Sequence, residues 1–303
     1  MSRVLIVILL GLALIVGTAK AGVVIGIDND FFSKPSSDNN YSHATSIGWR
    51  WTGGPLLWQQ VGIRQALYTW DQIQRTVELP SDHPYCGFQT AFWQGLSRED
   101  SELVIYEVQA GVLGPAANGE LYQNTVHRII GQAEAERWDT QLANEPVLNL
   151  YMERRHQLVV WGREDALSAG VVGVYGGALG TTFINLDAGL LVRLGWNIPV
   201  DETEGLILLK AVRESPWWAY VYGKGVGYGV LHNVTLGDSY FNDPLPCNQR
   251  TLEPFVTETT AGVSAGYRHL SISYYLARRS LEFENQLKPM DYGGIILEFT
   301  TSF

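Results

Sequence analysis

From Gly22 onward, apolar and polar residues alternate in short runs separated by turn residues. A period of two puts successive side chains on opposite faces of a β-strand. The closing run "YGGIILEFTTSF" shows the pattern. Phe303, Thr301, Phe299, Leu297 and Ile295 alternate with Ser302, Thr300, Glu298 and Ile296, one greasy face against a more polar one. Comparable runs begin with "GVVIGIDNDFF", a polar "SKPSSDNN" loop and "YSHATSIGWRW", and continue through "WQQVGIRQALYTW", "GFQTAFWQGL" and "ELVIYEVQAGVLG". Longer ones, such as "PVLNLYMERRHQLVVWGRED" and "AGVVGVYGGALGTTFINLDAGLLVRLGW", read as strands or hairpins, and the last third adds "LILLKAVRE", "WAYVYGKGVGYGVL", "FVTETTAGVSAGYRHL" and "SISYYLARRSLEF". Counting the long runs as hairpins predicts about twelve strands, give or take about two. No repeat, low-complexity tract or linker divides the chain, so one domain is expected.

One stretch breaks this rhythm. "GELYQNTVHRIIGQAEAERW", Gly119 to Trp138, is rich in helix formers, and its apolar positions fit a helical spacing better than alternation. Gln123 and His127, four apart, share a helical face. Glu134 falls near the same face if the helix continues through Gly131.

The two ends of the chain decide which kind of β-protein this is. "MSRVLIVILLGLALIVGTAKAG" has a basic Arg3, an apolar run and an Ala19-Lys20-Ala21 cleavage pattern, the shape of a secretory leader. The run is too short for a membrane helix, which wants about twenty apolar residues. Residues 1–21 are therefore expected to be a signal peptide and 22–303 the mature domain. A leader at one end and an alternating strand with a terminal aromatic at the other point to a transmembrane antiparallel β-barrel of the Gram-negative outer membrane. Bacterial barrels of this kind have an even number of strands.

Composition sharpens the picture in three respects. The formal net charge of -10 argues against nucleic acid as a partner. It suits a surface that deals with divalent cations and an anionic leaflet. Ten Trp and fifteen Tyr cluster in "GWRWTGG", "PLLWQQ" and "SPWWAYVYGKGVGYGV", as expected for aromatic girdles at the membrane interfaces. Cys86 and Cys247 are the two cysteines, and spacing alone assigns them no role.

Candidate chemistry is sparse but pointed. "IDNDFF" carries Asn29 and Asp30 and "YSHAT" carries Ser42 and His43. Asn, Asp, Ser and Gln oxygens are hard donors of the kind that bind calcium. No G-x-S-x-G run supplies a nucleophile elbow, and no C-x-x-C or H-E-x-x-H run suggests zinc. His43, His83 and His156 read as structural or exposed.

The chain resembles the lipid A 3'-O-deacylase family of outer-membrane enzymes. The resemblance rests on "DND" at 28–30, "YSHAT" at 41–45, "YTWDQIQR" at 68–75 and "DHPYCG" at 82–87. It runs on through "GVLGPAANGELYQNTVHRIIGQ", Trp138 and "QLANEP" at 141–146, while the C-terminal half matches only in barrel character. It implies a twelve-stranded barrel whose active site lies between the barrel wall and a helix in an extracellular loop. It also implies that His127 is the general base, that calcium is the cofactor, and that Asn29, Asp30, Ser42 and Gln123 are its ligands. An acidic ligand beyond the histidine is matched by Glu134, with one residue of ambiguity in the spacing. A basic pair that supports the oxyanion is reduced to Arg75, with Thr76 beside it, and threonine is common in the family where Ser42 stands.

The sequence thus predicts an outer-membrane hydrolase acting on lipid A or lipopolysaccharide, with no obligate protein partner. A phospholipase-like lipid esterase and a non-catalytic barrel of the same family are the alternatives.

Overall fold

The computed structural model describes residues 20–33, 41–70, 78–99, 102–162, 166–199, 216–243 and 248–302. Twelve strands form a single closed sheet in which every strand is antiparallel to its chain neighbours. They are β1 (Lys20–Asn29), β2 (Tyr41–Trp51), β3 (Trp58–Tyr68), β4 (Cys86–Glu99), β5 (Glu102–Leu113), β6 (Glu145–Gly162), β7 (Leu167–Gly180), β8 (Phe183–Trp196), β9 (Trp217–Asn233), β10 (Phe255–Tyr267), β11 (Leu270–Arg279) and β12 (Met290–Ser302). β1 closes the barrel on β12 in one unbroken ladder, from Lys20 opposite Ser302 to Asn29 opposite Gly293. Closure leaves no sheet edge, so the strands pair their backbone polar groups with one another around the wall, the condition for crossing lipid with strands. No helix among the described residues is long and apolar enough to cross a membrane.

The alternation seen in the sequence is the inside–outside pattern of the wall. Along β8, Leu190, Val192, Leu194 and Trp196 are exposed while Leu191 and Arg193 are buried. On β12, Leu297 and Phe299 face out and Ile296 and Glu298 face in. The aromatic run of β9 divides the same way: Trp217 faces out, whereas Trp218, Tyr220 and Tyr222 are buried with Val172, Val174 and Leu191. Exposed Trp161, Trp196, Trp217 and Tyr267 gather at the end of the barrel where β1 begins and β12 ends. Of these only Trp217 belongs to the clusters expected to form girdles, and Trp58 of "PLLWQQ" is instead buried beneath Arg50.

The lumen is filled with polar side chains. Arg64 Nη1 pairs with Glu107 Oε1 at 2.8 Å, and Gln94 and Gln109 donate to the same carboxylate. Arg155 and Lys224 flank Glu153 at 2.6 and 3.0 Å. Arg50 lies over the Trp58 ring at 4.2 Å. A chamber of about 330 Å3 remains among Asp28, Tyr41, Arg64, Gln94, Gln109 and Tyr275.

The links 69–85, 114–144 and 234–254 share one end, opposite the two-residue connections β4–β5 and β10–β11. Long loops mark the extracellular end of such barrels and short turns the periplasmic one. The 114–144 link contains the one α-helix among the described residues, α1 (Gly119–Ile130). It is shorter than the sequence predicts. Gly131 adopts φ 72°, a left-handed conformation that glycine takes without strain, and its N–H caps the His127 carbonyl. Glu134 is therefore not on the helical face of Gln123 and His127, and the helix formers after Gly131 lie in a loop. The expected strand "LILLKAVRE", Arg75 and Cys247 lie outside the described residues, as do residues 1–19 of the leader; Lys20 and Ala21, the last two residues before the expected cleavage, pair within β1. Cys86 is buried.

Candidate active site on the outer wall

The register of β1, β2 and β3 reads off the outer face row by row. The lowest row considered is Ile25, Ile47 and Ile63; above it come Ile27, Thr45 and Gln65, then Asn29, His43 and Leu67. Directly paired residues share a face, so each row is a line of neighbouring side chains. Ile25, Ile27, Ile47 and Ile63 are exposed and belong to the lipid-facing band. Within two residues, towards the extracellular end, that surface turns polar.

The polar rows are roofed by the 114–144 link. Gln65, outward-facing yet buried, donates from Nε2 to the Ala117 carbonyl at 3.1 Å. Leu67 packs with Trp70, Tyr85, Ala135 and Trp138, and Tyr122 of α1 lies against the same group. Gly87 of β4 meets Gly119 so closely that a Cβ at Gly119 would lie 3.0 Å from Gly87 Cα and 2.6 Å from the Trp138 ring. These two glycines let the helix settle directly on the outside of the barrel.

Four predicted donors occupy this region of the molecule. Asn29 ends β1, and its Oδ1 accepts from the Phe31 N–H at 2.8 Å, capping a 3-10 turn over Asp30–Phe32 in which Asp30 is buried. Ser42 is the extra residue of a β-bulge: Tyr41 pairs with Tyr68 and His43 with Leu67, which leaves two residues of β2 against one of β3. A bulge re-aims a side chain, and the Ser42 hydroxyl meets that of Thr69. Gln123 is buried on α1, and its Oε1 accepts from Trp138 Nε1 at 2.9 Å.

His127 sits one turn further along α1, half-buried. Its Nδ1 lies 2.6 Å from the Ala133 carbonyl. A carbonyl only accepts, so Nδ1 carries a proton, and in the neutral tautomer this leaves the lone pair on Nε2. Asn124 holds that loop in place, with Oδ1 accepting from Ala135 N–H at 2.8 Å.

Glu134 stands apart from these groups. It forms an exposed ion pair with Arg128 at 3.3 Å and lines an open cleft with Glu120, Asn124 and Trp138. Among the described residues no three His, Cys, Asp or Glu side chains come together as a metal cluster. An ion in this region would be held mainly by neutral oxygens and the single carboxylate of Asp30.

Sequence reasoning set His43 aside, but the structure places it inside the constellation. Its Nδ1 is 3.3 Å from Asn29 Nδ2, and its Nε2 is 3.0 Å from the Tyr122 hydroxyl. The signal was the pairing of "DND" with "YSHAT" in one hairpin, which sets His43 opposite Asn29. His83 and His156 keep the structural and exposed roles expected of them, the first buried and the second on the outer face beside Glu102.

Comparison with known proteins agrees with this architecture. The family described as "Outer membrane protein LpxR" matches residues 4–301. Among solved structures the chain is similar to LpxR from Salmonella typhimurium, with a TM-score of 0.79 and 19% identity over 92% of this chain and 99% of that one. The match to OmpT, an outer membrane protein of Vibrio cholerae, covers 95% of this chain and 99% of that one, but at a TM-score of 0.27 and 9% identity. No curated protein matches the chain. A family match over nearly the whole length, on a closed twelve-stranded barrel, places the chain in the Gram-negative outer membrane as a member of the LpxR family, the lipid A 3'-O-deacylases.

Proposed function

We propose that this protein hydrolyses the ester-linked 3'-O acyl chain of lipid A, with His127 as general base and calcium as cofactor. One observation carries the reading. Polar Thr45, Gln65, Asn29 and His43 lie on the outer wall, beside exposed Ile27 and above Ile25, Ile47 and Ile63, beneath a helix that bears an oriented histidine. A lipid in the outer leaflet reaches such a site sideways, its acyl chains on the isoleucines and its sugar at the level of the loop.

The donor set fits a hard cation. Asn29 Oδ1 and Gln123 Oε1 each accept one protein hydrogen bond, and an amide oxygen has a second lone pair to give. With the Asp30 carboxylate and the Ser42 hydroxyl they are oxygens throughout, the preference of calcium. Asn29, Asp30, Ser42 and Gln123 would hold the calcium, which when bound would supply Lewis-acid polarisation of the ester carbonyl. Glu134, paired with Arg128, is left out of this set. Arg75 retains its assignment beside the oxyanion on the strength of the sequence match.

The chain's own residues carry the proton. Nε2 of His127 takes a proton from water as the oxygen attacks the carbonyl carbon, and the Nδ1–H bond to Ala133 holds the ring as it becomes imidazolium. Collapse of the tetrahedral adduct breaks the bond to the sugar oxygen. The imidazolium returns its proton to that oxygen, leaving a free fatty acid and a 3'-hydroxyl.

The test is mass spectrometry of lipid A from a Gram-negative host expressing the chain, beside His127→Ala, with calcium and with a chelator. One acyl unit is expected to be lost. The substitution should slow the reaction by about 10²–10⁴-fold, the usual contribution of a general base. Unaltered lipid A from a folded outer-membrane barrel would sink the assignment, and unaltered lipid A with released phospholipid acyl chains would shift it to a phospholipid esterase.

A further inference from the structure

We propose that His43 and Tyr122 are positioning residues that fix the spacing between the barrel wall and α1, and with it the mutual placement of the oxygen donors Asn29 and Gln123. The inference rests on the calcium reading.

The bonding order can be worked out atom by atom. An amide nitrogen only donates, so the contact of Asn29 Nδ2 with His43 Nδ1 at 3.3 Å makes Nδ1 the acceptor. The ring proton then sits on Nε2, which faces two oxygens, the Thr45 hydroxyl and the Tyr122 hydroxyl at 3.0 Å. Those two hydroxyls are 2.7 Å apart and bond to each other. The His43 and Tyr122 rings also stack, with centroids 5.3 Å apart and planes 30° from parallel. A continuous path of hydrogen bonds thus runs from the end of β1, through β2, to the helix.

Each end of that path orients a donor. At the wall, an acceptor at Nδ1 demands the amide NH2 of Asn29. Its Oδ1 is thereby turned to the other side, where Phe31 N–H takes one lone pair and the second stays available. At the helix, Tyr122 precedes Gln123, so anchoring its hydroxyl to the wall fixes the rotation of α1 that aims Gln123. The polar atoms of Thr45 and His43 lie on a face whose next row down is lipid-exposed isoleucine. Those groups would lose the Tyr122 hydroxyl if the helix moved away. Desolvation on one side and hydrogen bonding on the other make the docked position a single narrow minimum.

The test is calorimetric titration of calcium chloride into the full mature barrel in detergent, for the wild type, Tyr122→Phe and His43→Ala. Tyr122→Phe keeps the ring stack and removes only the hydroxyl. Loss of an outer partner of this kind is expected to weaken calcium binding by about tenfold or more, with an equal shift in the calcium needed for half-maximal fatty-acid release. A purely structural role would lower the folded fraction and leave the affinity of the folded protein where it was. Thr45→Val, milder than either, serves if Tyr122→Phe does not fold. Wild type that binds calcium, with variants of equal affinity, overturns the positioning role alone. Wild type that binds none overturns the calcium reading together with it.

Discussion

A buried histidine that never touches the site shows how burial sets chemistry at the scale of one residue. His83 lies in the 69–85 link, stacked on Tyr68 at 4.5 Å with planes 14° apart, and donates from Nδ1 to the Pro84 carbonyl at 2.8 Å. Burial pulls its pKa from 6.5 down to about 3. The folded protein therefore holds the ring neutral where the unfolded chain would take up a proton. With the folded value depressed, the stabilisation is complete above 6.5 and is lost progressively as pH falls from there towards about 3. Urea midpoints of the barrel in detergent, measured down this range, should fall with acid more steeply for the wild type than for His83→Gln, which has nothing to titrate. Equal slopes would mean that the ring is reached by water. Residues differed in how legible they were in the sequence. Gln123 and His127 stood out because helical spacing put them on one face, whereas His43 became informative only once pairing set it opposite Asn29.

At the scale of elements, strands were easy to read and their irregularities were not. Period-two alternation survives in β8 and β12 almost residue for residue, since the lipid outside and the polar lumen inside impose opposite demands on neighbouring positions. The bulge at Ser42 depends on how β2 pairs with β3, which no pattern within β2 discloses. The end of α1 was within reach: Gly131 is the residue type that closes a helix, but the helix formers beyond it argued for continuation. Docking of α1 rests on the contact between Gly87 and Gly119. Gly119→Val would drive a side chain into the Trp138 ring, which a Cβ alone would already approach to 2.6 Å. The helix should shift outward by a fraction of its diameter and activity should fall by on the order of a hundredfold, the cost of a small misplacement of catalytic groups. Heat-modified gel mobility should stay that of a folded barrel, because none of the strand ladders is touched. A variant that retains full activity would show that the helix tolerates displacement.

For the whole molecule, the polar lumen is as much a part of the fold as the greasy exterior. Several charges there are paired in place, among them Arg64 with Glu107, supported by Gln94 and Gln109. Arg64→Leu would leave the buried Glu107 carboxylate with amide donors alone. Breaking one side of a buried pair typically costs about 3–5 kcal/mol, which equilibrium unfolding in urea should register as a lowered midpoint. An unchanged midpoint would indicate that water in the adjoining chamber takes the place of the guanidinium.

The polar rows set just above Ile25, Ile47 and Ile63 have a kinetic consequence. On the proposed function, a site open sideways to the leaflet would meet its substrate in two dimensions. What governs encounter is the fraction of neighbouring lipids that are substrate, not any concentration in the surrounding water. Turnover on such a wall is a search among neighbours, and the composition of the leaflet acts as the solvent.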